Sequence, residues 1–164
     1  MEIMSQGVHV VQLIPPHSHS ASSSFSASST TYISMKGYHK ALVIANMGAI
    51  TGAVTFAFNQ AQSVSGSTNT TLSVDGFYTD AAAVASSSTT NDTFVYTAFA
   101  SGSSSQATGT TNNTTYVFPV DPSALTAGYD CIGVAAAAAN AIFGVVAVLY
   151  PRYAQQIPTA TKAD

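Results

Sequence analysis

Two apolar stretches constrain what this chain can fold into: ALVIANMGAITGAVTFAF at 41–58 and CIGVAAAAANAIFGVVAVLY at 131–150, neither carrying a charge. Each approaches the length of about 20 apolar residues that a membrane-spanning helix needs. Their internal pattern argues against that use. The first is interrupted by Asn46, Gly48 and Gly52, and its second half alternates, with Val54, Phe56 and Phe58 on one face and Thr55, Ala57 and Asn59 on the other. That is the period of a strand. The second is interrupted by small residues and Asn140 between 135 and 141, leaving two β-rich runs. A spanning helix would favour Leu and Ile at its centre and basic residues at its flanks. Each stretch is therefore expected to form a hairpin of a sheet, and no membrane partner is expected.

From Ala41 to Pro151 the chain has no lysine and no arginine. Nucleic-acid affinity rests largely on basic side chains that displace counterions from phosphates, so a nucleic-acid partner is excluded as an expectation. Across all 164 residues there are 4 basic and 7 acidic residues, whereas Ser and Thr supply 42 and Ala 27. A surface of hydroxyls, amides and small side chains has little charge to keep copies apart. Such a surface suits burial against a protein partner. The length fits one domain.

Strands are expected at Phe25 to Met35, Lys40 to Met47, Ala53 to Gln62, Leu72 to Tyr78, Phe94 to Ala100, Tyr116 to Val120, Tyr129 to Val134 and Ala141 to Tyr150. The segments SVSGSTNT, ASSSTTND and SGSSSQATGTTNN read as loops, and DPSAL at 121–125 offers an Asp cap and a Pro at the first position of one helical turn. Before the first strand, the apolar run Val8 to Ile14 meets Pro15-Pro16 and then HSHSASSS. Prolines exclude a helix or a central strand there. The expected organisation is an extended N-terminal arm at 1–24, a β-sandwich domain at 25–154 and a C-terminal tail at 155–164. The fold class is all-β, an antiparallel, jelly-roll-like sandwich, which limits exposed sheet edges by folding one sheet over another.

Chemistry is sparse. His17 and His19 form H-x-H, whose rings would share one face of a strand, but no histidine follows His39 to complete a ligand set. No metal and no cofactor are expected. Cys131, the single cysteine, lies in an apolar run far in sequence from every histidine, so a buried thiol is expected rather than a nucleophile. Asp75, Asp80, Asp92, Asp121 and Asp130 sit in turn-like contexts, which suits caps and turns. Asp75 and Asp80 are the nearest approach to a glycosidase-like carboxylate pair. The sequons at Asn69, Asn91, Asn112 and Asn113 follow from the abundance of Thr, and residues 1–16 lack the basic and apolar regions of a secretory signal. No catalytic function is expected.

The run SMKGYHKALVIANMGAITGAVTFAFNQAQ at 34–62, together with ANAIFGVVAVLYPRYA at 139–154, resembles a family of small cement or decoration proteins of tailed bacteriophage heads. The shared pattern is Lys36-Gly37-Tyr38 before an apolar strand, a turn at Gly48 to Gly52, an alternating strand, and a late apolar strand closed by Tyr150 and Arg152. The resemblance implies a jelly-roll-like virion protein, made in the host cytoplasm, on the outer capsid surface. Its partner would be the major capsid protein, and its oligomeric state most often a dimer. Partner contacts are expected at Val8, Val10, Leu13 and Ile14 of the arm, which has little core of its own and can drape over a neighbour, and at Lys36, Tyr38, Lys40, Arg152 and Tyr153 at the border of the body. Another phage virion component, such as a connector, tail or fibre-base protein, is the alternative, followed by a secreted adhesin or carbohydrate-binding sandwich.

Overall fold

Alternating large apolar side chains on strands that have no helical competitor lead to sheets, and two sheets facing each other bury those side chains most completely. The computed structural model describes residues 7–19, 31–80, 94–99, 106–109, 112–138 and 140–152. Among them the strands are β1 (His9–His19), β2 (Tyr32–Ser34), β3 (Tyr38–Ile50), β4 (Val54–Ala61), β5 (Asn69–Thr71), β6 (Gly76–Asp80), β7 (Phe94–Ala98), β8 (Gln106–Gly109), β9 (Thr115–Val120), β10 (Cys131–Ala138) and β11 (Ala141–Pro151). The larger sheet runs β1-β11-β3-β9-β6-β7, and the smaller runs β2-β10-β4-β5, with β8 also on β4. Every pairing is antiparallel.

From β1 to β4, and again from β9 to β11, consecutive strands alternate between the sheets. Strands from the two ends of the chain therefore interleave, as β1-β11-β3-β9 in one layer and β2-β10-β4-β5 in the other. This wrapping makes the molecule an antiparallel, jelly-roll-like sandwich.

The expected hairpins are instead arches. β3 and β4 lie in different sheets, as do β10 and β11, so each apolar stretch crosses from one layer to the other. The inward side chains explain the choice. Phe56 and Phe58 of β4 must meet residues of the opposite layer, and the residues of β11 that point inward are Phe143, Val145, Ala147 and Leu149. The two arches support each other, because Thr51 donates to the Asn140 carbonyl through its backbone N–H (3.0 Å) and through its hydroxyl (3.1 Å). Asn140 takes the left-handed conformation (φ 61°) that asparagine tolerates.

Further differences have local causes. The alanine run is strand rather than a break, since Ala135 to Ala138 pair with Ala57 to Val54. Sheet pairing overrides the helical preference of alanine. β5 and β8 arise inside Ser/Thr-rich segments read as loops, each borrowing part of the free edge of β4. β6 begins at Gly76, later than expected, and Leu72 instead packs into the core. The one-turn helix is present at Pro122–Ala124, with the Asp121 side chain accepting from the Ser123 N–H. Of the expected strand at 25–35, only Tyr32–Ser34 is a strand among the described residues.

Residues 9–19 of the segment read as an arm form β1 and pair with β11 of the same chain. Register shifts between Gln12 and Ile14 and between Ile14 and His17 absorb the prolines. This is an edge position, where the missing N–H groups need no partner. Pro16 lies directly over Gly144: a Cβ there would stand 2.9 Å from the Pro16 Cβ and 3.0 Å from its Cα.

Gly144→Ala is accordingly expected to push β1 off β11 and to cost about 1–3 kcal/mol, the range for a side chain forced into a packed site. Chemical denaturation measures the loss. Hydrogen exchange should show it concentrated on the amides that join β1 to β11, whereas uniform loss of protection would contradict the local contact.

Candidate functional site

In an antiparallel sheet with one face on the core, the outer face is ordinarily polar. Here it is not. On β3, Ala41, Val43 and Ala45 are buried, so Leu42 and Ile44 point outward; on β11, Val145, Ala147 and Leu149 are buried, so Val146 and Val148 point outward. The register lines these side chains up across strands. One row runs Val10–Val148–Leu42–Pro119, and the next runs Gln12–Val146–Ile44–Val117–Tyr78–Tyr96. The central residues are half-buried by their neighbours, while Val10 is 43% exposed and Ile142, farther along β11, is 46% exposed. No ionised side chain stands in either row.

Among the described residues, the charged side chains apart from Asp80 gather at one end of the sandwich. Lys36, Asp130 and Arg152 line a hollow of about 300 Å³ with Tyr129, and Lys40, Asp75 and Asp121 line a neighbouring one. The Lys36 Nζ lies 2.7 Å from an Asp130 carboxylate oxygen. Burial alone would raise the Asp130 carboxyl, but hydrogen bonds from Lys36 and Cys131 and the Lys36 charge outweigh it and hold the group below the usual carboxylate range. The same bond and charge raise the Lys36 ammonium. Arg152 donates from Nε to the Tyr38 carbonyl (3.3 Å) and from its backbone N–H to the Gly37 carbonyl (2.9 Å). The adjacency of β3 and β11 brings these cations together, which is the condition under which the sequence could unite them.

The other residues singled out in the sequence are placed as follows. Val8 is half-buried and Val10 exposed, whereas Leu13 (4% exposed) and Ile14 (2%) belong to this chain's own core and present nothing to a partner. Tyr38 is fully buried, its hydroxyl 2.9 Å from the His9 Nδ1. Tyr153 lies outside the described residues. His19 is buried and stacked on Phe143 at 4.0 Å between ring centroids, and the described residues contain no group of three or more possible metal ligands. Burial, then the hydrogen bond to Asp130, push the Cys131 thiol up to about 12, so it is an un-ionised core residue at neutral pH. Asp75 and Asp80 are five residues apart, just before β6 and at its last residue, roughly 16 Å on extended chain. They do not form a carboxylate pair across one cleft.

The aliphatic rows were missed as a site by sequence reasoning, although a signal existed. ALVI at 41–44 and VVAVLY at 145–150 are apolar at every position rather than at alternate ones. Continuous runs of this kind mark strands with both faces out of water. The chain matches no family model, no curated protein and no solved structure.

The ion pair gives a pH dependence of defined sign. Because the folded carboxyl of Asp130 lies below the ordinary aspartate value of 3.8, its contribution to stability is present above that pH and is lost as pH falls through the folded value. Asp130→Asn is expected to lower the melting temperature slightly at pH 7 and to match the parent at about pH 2. Thermal unfolding at the two pH values checks this, and an equal deficit at both would show that the carboxylate charge is not what matters.

Proposed function

We propose that this protein is a structural component of a virion that binds the outer surface of a tailed-phage head and reinforces contacts between capsomers of the major capsid protein. The observation that carries this reading is the aliphatic outer face of β1, β11, β3 and β9, of which β3 and β11 lie in the segments whose sequence resembles head decoration proteins. A contiguous apolar surface is uncommon on a monomeric soluble protein and marks a site of contact. Without ionised groups in its centre, the face can lose water without stranding a charge.

The physical demand on such a protein agrees with these features. Reinforcing a shell against internal pressure needs buried area that spans boundaries, repeated over many sites, rather than a catalytic cleft. We infer that the protein acts without cofactor or catalysis, contacts no nucleic acid or membrane, and works as a homo-oligomer, with a dimer favoured. Val10 lies on the docking face, while Lys36, Lys40 and Arg152, set among Asp75, Asp121 and Asp130, provide a charged border beside it.

Cryo-microscopy of native particles tests the assignment by locating the chain on the head, at the neck or tail, or nowhere. The neck or tail would support the alternative virion role, and absence from particles would end both. Val146→Lys and Ile44→Lys place a charge in the middle of the face while leaving the core intact. Each is expected to fold normally and to weaken binding to undecorated heads by about 2 kcal/mol or more, roughly thirtyfold. Undiminished binding by both folded variants would remove the aliphatic rows from the interface.

A further inference from the structure

At the charged end, where β6 and β7 extend the larger sheet past β9, lies a hollow of about 530 Å³. That is within the range of about 300–1,000 Å³ typical of small-molecule sites. Its aromatic wall is made by Tyr78 and Tyr96, whose ring centroids are 4.9 Å apart and whose planes are tilted by 51°. Both rings are exposed, at 39% and 46%. A Cβ at Gly76 would meet the Thr97 backbone carbonyl oxygen and would stand 2.6 Å from the Tyr96 phenol oxygen and 2.8 Å from the carbon bearing it, so there is no room for a side chain where β6 pairs with β7 and the Tyr96 ring lies across it. Facing the rings are Lys40, Asp75, Asp121 and Ser123. Asp121 is held ionised and oriented by the Ser123 backbone N–H, which reaches its Oδ1 at 2.8 Å.

The mixture of groups selects among ligand chemistries. An anion would meet two carboxylates, and a basic side chain would meet the Lys40 ammonium. A flat apolar molecule would leave the carboxylates and ammonium without the water they require. A neutral polyhydroxylated ring satisfies all of them. Its hydroxyls donate to Asp75 and Asp121 and accept from Lys40, while its C–H face rests on a tyrosine ring, as tyrosine's apolar body and polar tip allow.

We propose that this hollow is a binding site for a neutral saccharide, with Tyr78 and Tyr96 as the stacking platform and Asp75, Asp121 and Lys40 as the hydroxyl-recognising groups. The proposal does not rest on the head-binding reading, since it concerns the free protein and the hollow where Tyr78 and Tyr96 end the second of those rows.

The test is titration of the full chain, by calorimetry and by tyrosine-ring NMR signals, against a panel of neutral hexose oligomers, the corresponding long polysaccharides, sialylated oligosaccharides and a lysine oligopeptide. Neutral oligomers are expected to bind at up to millimolar concentration, and Tyr78→Ala and Asp75→Asn each to weaken binding roughly tenfold or more without changing the melting temperature. Binding of the oligomers as tightly as the polysaccharide would assign recognition to one or a few sugar units, and preference for the polymer to a longer stretch of chain. The proposal is overturned if no neutral saccharide binds, if only the sialylated or lysine ligands bind, or if both folded variants bind as the parent does.

Discussion

The contact between Phe56 and Phe58 of one sheet and Phe118 and Phe143 of the other is the interaction on which the sandwich depends. Phe56 meets Phe143 edge-on, with centroids 5.7 Å apart at 87°, and Phe118 at 6.0 Å; Phe58 meets Phe118 at 4.9 Å. Each ring contributes about 1.5–3 kcal/mol through burial, and each well-oriented pair about 0.5–1.5 kcal/mol beyond that. Rings of this size need small neighbours if the layers are to close. Ala41, Ala45, Ala136, Ala141 and Ala147 supply them, all at 2% exposure or less. These buried alanines are the small partners that the phenylalanine rings require. Tyr116 and Phe77 continue the same stack toward β6, which carries the larger sheet outward to the tyrosine-walled hollow.

Strand character was legible where it depended on local alternation, as in 54–58, and the one-turn helix was legible because Asp121 and Pro122 act through adjacent backbone. What could not be read was which sheet each strand would join. An arch and a hairpin place the same turn residues in the same positions: Asn140 at positive φ serves either, and only the distant Phe118 decides that β4 must face β9 rather than lie beside β3. The short strands β5 and β8 were equally hidden, because their composition is that of a loop and their order comes from the edge of β4. The aliphatic face was half-visible. The apolar runs were plain, but a row such as Val10–Val148–Leu42–Pro119 is assembled from four segments spread over the chain, and register is not a local property.

The same economy of charge shapes the sheet edges. Proteins usually blunt an edge strand with lysine, with proline, or by keeping it short. With almost no lysine to use, this chain relies on the other two: β1 carries Pro15 and Pro16 at its register shifts, and β2 and β5 are three residues each. β7 departs from that pattern. It is five residues long, free of charge and proline, and every one of its residues is exposed. Its tyrosine is the one that closes the hollow, so the strand least protected by sequence is also the one that presents a side chain for recognition.

Segregating ionised groups to one end has a further consequence. A charge buried at a protein contact must be paired well or it opposes binding, whereas aliphatic and hydroxyl groups give up water at little or moderate cost. Keeping Lys36, Lys40, Asp75, Asp121, Asp130 and Arg152 together lets these groups compensate one another beside solvent while the broad face of the sheet stays neutral. The arrangement separates two demands that ordinarily compete on a small surface. The charged end supplies hydration and polar recognition, and the uncharged face is left free to pack. That separation is possible because, among the described residues, the cations near the strands carrying the face, β3 and β11, are Lys36, Lys40 and Arg152, at the end where β3 begins and β11 finishes.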